Sequence, residues 1–314
     1  MAPLPEVRVT QPSRPFTWIG MDYFGPLWVT IGRRHEKRYG VLFTCLSTRA
    51  IHVELAESLS TDSCIMAIRR MGGRRGYPEK IYSDNGTNHR GADNELKKSL
   101  EELNQQRMIQ EMTVRGIEWH FIPPSAPHMG GAWERLVKSV KVALLSTLKE
   151  RSPREEVLRT LLVEAEHTVN SRPLTHVSLD PDDLEALTPN HFLLGSSSGT
   201  VEVPGVFVET DLVLRKLWRQ SQRLADMFWK RWVKEYLPTL TRRTKWFSSN
   251  RSIKEGDLVL IADGDLPRNQ WPRGVITATF PGKDGVVRVV DVRTNTGVYR
   301  RPVVKICQLD IDRQ

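Results

Sequence analysis

The chain has 314 residues, 39% of them hydrophobic and 26% charged, which is the composition of an ordinary globular protein. This length allows two domains and a sizeable core. No apolar run is long enough to span a membrane, and the N-terminus lacks the apolar segment of a signal peptide. We therefore expect a protein that is neither secreted nor embedded in a membrane.

The formal net charge is +9 at pH 7, from 46 Lys and Arg against 37 Asp and Glu. A basic surface favours polyanionic partners, because each neutralised phosphate releases condensed counterions. Many basic proteins never bind nucleic acid, so the charge alone does not identify the partner. Cys45, Cys64 and Cys307 are widely spaced and match no zinc-binding pattern, so we expect buried, reduced thiols.

The N-terminal segment predicts a β-meander. Residues 16–55 hold runs rich in Val, Ile, Thr and aromatic residues, joined by short connections, which indicates three consecutive antiparallel strands. The charged run RRHEKR at 33–38 is interpreted as a turn. A helix is then expected from Ser60 or Thr61 as the N-cap to Gly72-Gly73 as its end.

A second group of elements follows. KIYSDNG at 80–86 predicts a short strand that runs into an Asn-Gly turn, residues 91–112 a polar helix, and GIEWHFIPP at 116–124 a fifth strand. WERLVKSVKVALLSTLKE, at 133–150, has apolar residues at helical spacing, and a further helix is expected at about 153–170. This order predicts an α/β fold with a ribonuclease-H-like mixed sheet flanked by helices.

The C-terminal third predicts a linker, a helix and a small β domain. Residues 178–205 are rich in Pro, Gly, Ser and Asp and are interpreted as a linker, and residues 211–237 as a long basic helix that ends at Pro238. From residue 253, short strands separated by turns predict an SH3-like β-barrel. The predicted division is an N-terminal extension (1–13), a catalytic core (14–177), a linker with the basic aromatic helix (178–250) and the barrel (251–314).

Three acidic residues stand out by their context. Asp22 lies inside an apolar strand, Asp84 ends another strand, and Glu134 opens the long helix. Two-metal phosphoryl transfer needs hard oxygen ligands that converge from different elements. Turn formation would also account for Asp84, and the helix dipole for Glu134, whereas a charge inside an apolar strand is costly without a partner. The residues alone leave these alternatives open.

The segments around these residues resemble the catalytic core of retroelement integrases. They are GMDYFGP, LFTCLSTRAIHVEL, YSDNGTN and WHFIPPSAPHMGGAWERLVKSVK, and the nearest resemblance is to BEL/Pao-type LTR retrotransposons. NSRPLTHVSLDPDDLEALTPNHFLLG and the tail from EGDLVLIADGDLPRNQW onward are similar to the downstream region of the same family. The resemblance extends from about residue 14 to about residue 310.

The resemblance implies an enzyme that processes DNA 3′ ends and joins them to target DNA. Asp22, Asp84 and Glu134 match the D-D-E triad that holds two Mg²⁺ or Mn²⁺ ions in this family. Glu134 follows Asp84 by 50 positions, a longer spacing than is typical of retroviral integrases. DNA and further copies of the chain are the expected partners. The expected location is the nucleus and the cytoplasmic virus-like particle.

The resemblance also implies residues that contact DNA. Lys138 and Lys141 follow the triad glutamate at i+4 and i+7 and share its helix face, although a solvated lysine face is an equally open alternative. Asn85 and Asn88 follow the second aspartate and are expected to orient DNA or water, with turn formation as the alternative for Asn85. His128 lies in a segment that resembles the mobile loop that closes over DNA.

Some features favour other interpretations. No His/Cys cluster precedes residue 35, so the zinc-binding domain of full-length integrases has no counterpart here, and we do not expect concerted integration from this chain alone. Met71-Gly72-Gly73 and Asn88-His89 depart from the hydrophobic residues usual in the family, which predicts weaker packing there. The alternative functions are a non-catalytic DNA- or chromatin-binding remnant and, ranked last, a ribonuclease H. The tryptophans of the basic helix, from Trp218 to Trp232, suit either base stacking or an interdomain core.

Overall fold

The structure is a computed structural model. It describes residues 14–84, 105–114, 116–122, 134–149, 151–174, 187–197, 206–213, 216–240, 253–261, 268, 273–282, 284–294 and 297–308. Across these ranges the chain forms an N-terminal sheet, helices on both of its faces and a C-terminal sheet. None of the described helices is both long and apolar enough to cross a membrane.

The N-terminal sheet contains five strands and has the predicted ribonuclease-H-like arrangement. Its strands are β1 (Trp18–Ile31), β2 (Arg34–Cys45), β3 (Ile51–Ala56), β4 (Lys80–Asp84) and β5 (Glu118–Ile122). The strand order is β3-β2-β1-β4-β5, so β1 is the central strand. β1, β2 and β3 form an antiparallel meander, and β4 and β5 run parallel to β1. The predicted mixed sheet is confirmed.

Helices cover both faces of this sheet. They are α1 (Thr61–Arg75), α2 (Gln105–Thr113), α3 (Glu134–Leu148), α4 (Glu155–Asn170), α5 (Pro189–Leu194) and α6 (Leu217–Leu240). One apolar layer lies between the sheet and α1 and α2, and contains Phe43, Ile68 and Met112. The other lies between the sheet and α3 and α4, and it continues to α6, which packs on those two helices. Leu27 and Leu158 belong to that second layer.

The outer edge of the sheet is closed by side chains of α4. The amide of Asn170 donates to the carbonyl of Ile51 and accepts from its N–H, both at 2.8 Å, and a carboxylate oxygen of Glu166 accepts from Val53 N at 2.8 Å. An edge strand normally exposes such groups to other chains. Each buried backbone group left without a partner would cost about 1–3 kcal/mol, so these bonds fix β3 against α4.

A buried charge network lies beside this edge. His52 Nε2 is 3.0 Å from Glu54 Oε1, and His52 Nδ1 is 3.1 Å from Glu166 Oε2. Arg70 and Arg74 also pair with Glu54, and a further arginine of α1 pairs with Glu166. Burial alone would lower the pKa of His52, but the two carboxylates outweigh it and raise that pKa above 6.5. Burial would raise the pKa values of Glu54 and Glu166, yet their cationic neighbours hold them below 4.5.

Several local predictions are corrected by the structure. The run at 33–38 is not a turn, because β2 resumes at Arg34 after a two-residue turn in which Gly32 has a φ of +60°. Gly72 and Gly73 do not end α1, which continues to Arg75. A Cβ on Gly72 would lie 2.6 Å from the ring of Tyr77, so glycine permits a close contact there. Helix α6 continues past the expected end at Pro238 to Leu240.

The C-terminal sheet is consistent with the predicted SH3-like domain. It consists of β6 (Leu258–Ile261), β7 (Arg273–Pro281), β8 (Val287–Thr294), β9 (Gly297–Pro302) and β10 (Ile306–Gln308). The strands are antiparallel in the order β10-β6-β7-β8-β9, with a 3₁₀ turn before β10. The first and last strands of the domain are therefore neighbours, although they are far apart in the sequence.

Helix α6 connects the two sheets through shared packing. Phe228, Trp232 and Tyr236 stack in succession along it, with centroid distances of 6.3 and 4.7 Å. They belong to the same apolar layer as Leu260 and Cys307 of the C-terminal sheet. The aromatic side chains of α6 therefore join the core of the first sheet to the second.

We expect the buried network to make stability depend on pH. The raised pKa of His52 adds stability that is complete below pH 6.5 and is lost as the pH rises through its folded-state pKa. The lowered pKa values of the glutamates add stability that is lost as the pH falls below 4.5. Urea unfolding of the wild type and His52→Gln should differ more at about pH 5.5 than at about pH 8.5.

The matched control is His167→Gln, which removes a histidine of α4 outside this network. An equal difference between wild type and His52→Gln at both pH values would contradict the charged state of His52.

Candidate active site

The centre of the candidate site is where the central strand β1 meets β4. These strands are parallel, and Met21 of β1 pairs with Ser83 of β4. One step further in the same register, Asp22 and Asp84 occupy neighbouring positions on strands that are about 4.8 Å apart. The two aspartates are 62 positions apart in the sequence, and the parallel crossover brings their backbones together.

Helix α3 covers Asp22. The helix begins at Glu134, and Lys141 lies two turns further on, so both positions are on one side of the helix. Lys141 Nζ donates to Asp22 Oδ2 at 2.5 Å, and the two side chains are only 15% and 19% exposed. This ion pair gives the charge in the apolar strand the partner that its burial requires.

The strands next to Asp84 are fixed by polar and aromatic contacts that the sequence did not predict. Trp119 Nε1 of β5 donates to the buried Ser83 Oγ at 2.9 Å. On the opposite side of the sheet, the rings of Tyr82 and His120 stack with centroids 5.0 Å apart. Tyr82 and His120 are paired in the β4–β5 register, whereas Trp119 pairs with Ile81 and reaches Ser83 diagonally, two residues further along β4. Alternation along the two strands is the signal that would have found both contacts.

The other predicted site residues are placed as follows. Lys138 lies on α3 and is exposed. Asn85, Asn88 and His128 lie outside the described residues, as do the side chains of Asp84 and Glu134. Among the side chains that are described, no group of three or more His, Cys, Asp or Glu is arranged to hold a metal ion. That statement does not cover the carboxylates of Asp84 and Glu134, which are two of the three expected ligands.

The tryptophans of α6 differ in exposure. Trp229 and Trp232 are buried in the apolar layer, as the interdomain-core alternative predicts. Trp218 is 55% exposed, and the guanidinium of Arg219 lies 5.5 Å from its ring centroid. Only the start of this helix therefore offers an exposed tryptophan. Met71, at a position where weaker packing was expected, is fully buried.

Among solved structures, the chain is similar to three retroviral integrases. The simian T-cell lymphotropic virus intasome in complex with PP2A regulatory subunit B56 gamma matches with a TM-score of 0.39 and 11% identity, over 97% of this chain and 82% of that one. The catalytic core of BIV integrase matches with a TM-score of 0.37 and 15% identity, over 57% of this chain and 95% of that one. The HTLV-2 integrase core in complex with magnesium matches with a TM-score of 0.35 and 16% identity, over 56% of this chain and 96% of that one.

Two sequence comparisons add further relatives. Residues 216–309, which cover α6 and the C-terminal sheet, match the family described as "Family of unknown function (DUF5641)". "Uncharacterized protein K02A2.6" of Caenorhabditis elegans is 25% identical over 304 residues, which are 93% of this chain. The match covers 20% of that protein, so the chain spans about a fifth of its length.

We expect the ion pair between Lys141 and Asp22 to contribute measurably to stability. In a double-mutant cycle of Asp22→Asn and Lys141→Met, unfolded in urea without divalent ions, the coupling energy should be about 1 kcal/mol or more. The reason is that each single change leaves one charge of a largely buried pair without its partner.

The matched cycle combines Asp22→Asn with Lys138→Met, one turn earlier on the same helix, and should give a coupling within about 0.5 kcal/mol of zero. Equal coupling in both cycles would mean that the general charge of α3, rather than the contact, stabilises Asp22.

Proposed function

We propose that the chain is the catalytic and C-terminal part of a retroelement integrase of BEL/Pao type. In this proposal it processes DNA 3′ ends and joins them to target DNA, with Asp22, Asp84 and Glu134 as the triad. The observation that supports it most is the β1–β4 register, in which the two aspartates occupy neighbouring positions beneath the helix that begins at Glu134. The sequence segments that resemble retroelement integrases are centred on these same residues.

The residues at this position suit a divalent cation. The three carboxylates would supply hard oxygen ligands from two strands and one helix terminus, which is the donor set that Mg²⁺ and Mn²⁺ prefer. Two such ions would supply charge stabilisation at the attacking and leaving oxygens. The HTLV-2 integrase core, one of the similar structures, was solved in complex with magnesium.

The reaction in this proposal consists of two displacements at phosphorus. Water first cleaves a phosphodiester near the DNA 3′ end, which leaves a 3′-hydroxyl. That hydroxyl oxygen then bonds to a phosphorus of the target strand as the existing P–O3′ bond breaks, and no covalent enzyme intermediate forms. The chain itself holds Asp22 on β1, the central strand of the sheet, so the backbone position of this residue is fixed before DNA arrives.

The ion pair between Lys141 and Asp22 adds a second role for Lys141. In the absence of a cation, its ammonium group balances the charge of Asp22 at 2.5 Å. A cation on the same carboxylate would displace that ammonium group, which would then be available to a DNA phosphate. Lys138, exposed one turn earlier, is proposed to contact DNA together with Asn85, Asn88 and His128. The chain is proposed to act as a homo-oligomer in the nucleus and in cytoplasmic virus-like particles.

The direct test is a disintegration assay, the reversal of strand transfer on a branched DNA, with purified full chain and Mn²⁺. Asp22→Asn, Asp84→Asn and Glu134→Gln should each lower the rate at least about a hundredfold, because a lost metal ligand removes several kcal/mol of transition-state stabilisation.

The matched control is Glu118→Gln, an exposed carboxylate of β5, which should react like the wild type. Wild-type activity in any of the three triad variants would remove that residue from the site.

Cation binding is tested separately from activity. Mn²⁺ should raise the melting temperature of the wild type, because a ligand that binds only the folded state stabilises it, and this shift should be absent in Asp22→Asn. Lys141→Met should show the shift at lower Mn²⁺ concentration, since no ammonium group competes for the carboxylate. An identical Mn²⁺ response in wild type and Asp22→Asn would argue against a cation at this position.

The alternative is a non-catalytic DNA- or chromatin-binding remnant. The Lys141–Asp22 pair is compatible with it, because a neutralised aspartate is stable without any cation. DNA binding without disintegration activity, together with no Mn²⁺ shift, would favour this alternative.

A further inference from the structure

An aromatic pair lies at the edge of the N-terminal sheet, one row of side chains away from the triad positions. Tyr82 of β4 pairs with His120 of β5, and two residues further along these strands Asp84 pairs with Ile122. Side chains two residues apart on a strand point to the same face of the sheet. The aromatic pair and the position of Asp84 therefore share one face.

This face is the one that α3 covers. The ring of Tyr82 is partly buried against the apolar layer that contains Val137 and Val140 of α3. The same helix supplies Lys141 to Asp22. The ring of Tyr82 is thus held by packing, and it forms a fixed support for the ring beside it.

The imidazole ring of His120 has one covered face and one outer face. It lies nearly parallel to the ring of Tyr82, with an interplanar angle of 15° and centroids 5.0 Å apart. This separation matches the spacing of neighbouring strands, about 4.8 Å, so the two rings are stacked in the direction from β4 to β5. β5 is the last strand of the sheet on this side. The outer face of the imidazole therefore points away from the sheet, past its edge.

The outer face of this ring is accessible. The side chain of His120 is 45% exposed. A further contact is made at the edge of the ring, where Nε2 lies 3.3 Å from Glu118 Oε2. A ring nitrogen forms hydrogen bonds in the plane of the ring, so this contact does not cover the outer face. The sheet thus ends in an exposed aromatic surface on a rigid support.

The distance from this surface to the triad positions indicates the partner. His120 lies one strand over and two residues back from Asp84, which places their Cα atoms about 8 Å apart. Asp22 is one strand further away, at about 12 Å. Consecutive phosphates of a stacked DNA strand advance about 3.4 Å along the axis. A phosphate at the triad therefore has its neighbouring nucleotides within reach of His120.

We propose that the outer face of His120 stacks on an unpaired DNA base near the reacting phosphate and so positions that phosphate at the triad. Bases inside a duplex are already stacked on both sides, so the base that uses this ring has left the duplex or lies at its end. Stacking tolerates any sequence, because every base has a π-face. This inference rests on the proposed function for its choice of DNA as the partner.

The test measures the affinity of the full chain for DNA ends by fluorescence anisotropy in EDTA. Two labelled duplexes of about 20 base pairs, roughly two helical turns, are compared. One has a short 3′ overhang of ordinary nucleotides, and the other has an overhang of abasic nucleotides, which keeps the phosphates. Raised NaCl weakens the phosphate contacts, because these release counterions.

The wild type should bind the ordinary overhang about fivefold or more tightly than the abasic overhang, since only the first offers bases to the ring. We call this difference the base preference. Equal affinity of the wild type for the two duplexes would overturn the proposal.

Variants of His120 distinguish stacking from hydrogen bonding. His120→Ala should bind both duplexes with the affinity of the wild type for the abasic one. His120→Phe retains a ring and should retain the base preference, whereas His120→Gln retains polar atoms and should lose it. A base preference kept by His120→Gln and lost by His120→Phe would overturn stacking as the mode of contact. A variant that fails to fold is recognised by its melting curve and by equal losses for both duplexes.

Two matched controls should keep the base preference of the wild type. His35→Ala removes an exposed histidine of β2. Glu118→Gln removes the charge beside His120 but retains an oxygen that accepts hydrogen bonds. Loss of the base preference in either control would overturn the proposal, because the removal of any histidine, or the charge of Glu118, would then explain the result.

The outcomes separate this inference from the proposed function. A base preference that depends on His120, in a protein without disintegration activity, supports the inference and contradicts the enzyme. Disintegration activity that depends on the triad, in a protein without a base preference, does the reverse.

Discussion

The parallel pairing of β4 with β1 fixes the geometry of the N-terminal half of the protein. Parallel strands need a crossover, and α1 provides it while covering one face of the sheet. The register then determines which residues become neighbours. A shift of β4 by one position would move Asp84 away from Asp22 and would turn the side-chain positions of β4 to the opposite faces of the sheet. Helix α3 lies over the face of β1 that carries Asp22, where Lys141 reaches the carboxylate.

A second constraint is that each buried carboxylate needs cationic neighbours, and these differ between β3 and the central strand. Near β3, His52, Glu54 and Glu166 are surrounded by arginines of α1, and every carboxylate has at least two cationic neighbours. At Asp22 the ammonium group of Lys141 lies 2.5 Å from a carboxylate oxygen. The first arrangement suits a permanent part of the core, and the second places a cation where the proposed chemistry would place a metal ion.

Much of the fold was predictable from the sequence, because strand and helix periodicity, short connections and turn residues all agree over residues 16–84. The errors have physical causes. The run at 33–38 is charged on both faces of an exposed hairpin, so no apolar alternation marks it as a strand. Gly72 of α1 permits a close contact with Tyr77, which no local pattern reveals.

The candidate site was predictable in part. Context and resemblance selected Asp22, Asp84 and Glu134 without any knowledge of contacts. The pairing of Lys141 with Asp22, across 119 positions, depends on how α3 lies over β1, and so does the exposed state of Lys138. The supporting pairs of β4 and β5 depend on strand register in the same way. Sequence spacing indicates which residues share a helix face, but not what that face meets.

The aromatic stack of α6 has a consequence for how the molecule unfolds. Trp232 and its neighbours complete the apolar layer over α3 and α4, and the same layer includes Leu260 and Cys307. Arg268, in the C-terminal half, forms ion pairs with Glu164 of α4 and with Asp226 of α6. A chain cut ahead of Leu217 would expose to water the sides of α3 and α4 that pack against α6. We therefore expect the two halves to unfold together rather than one after the other.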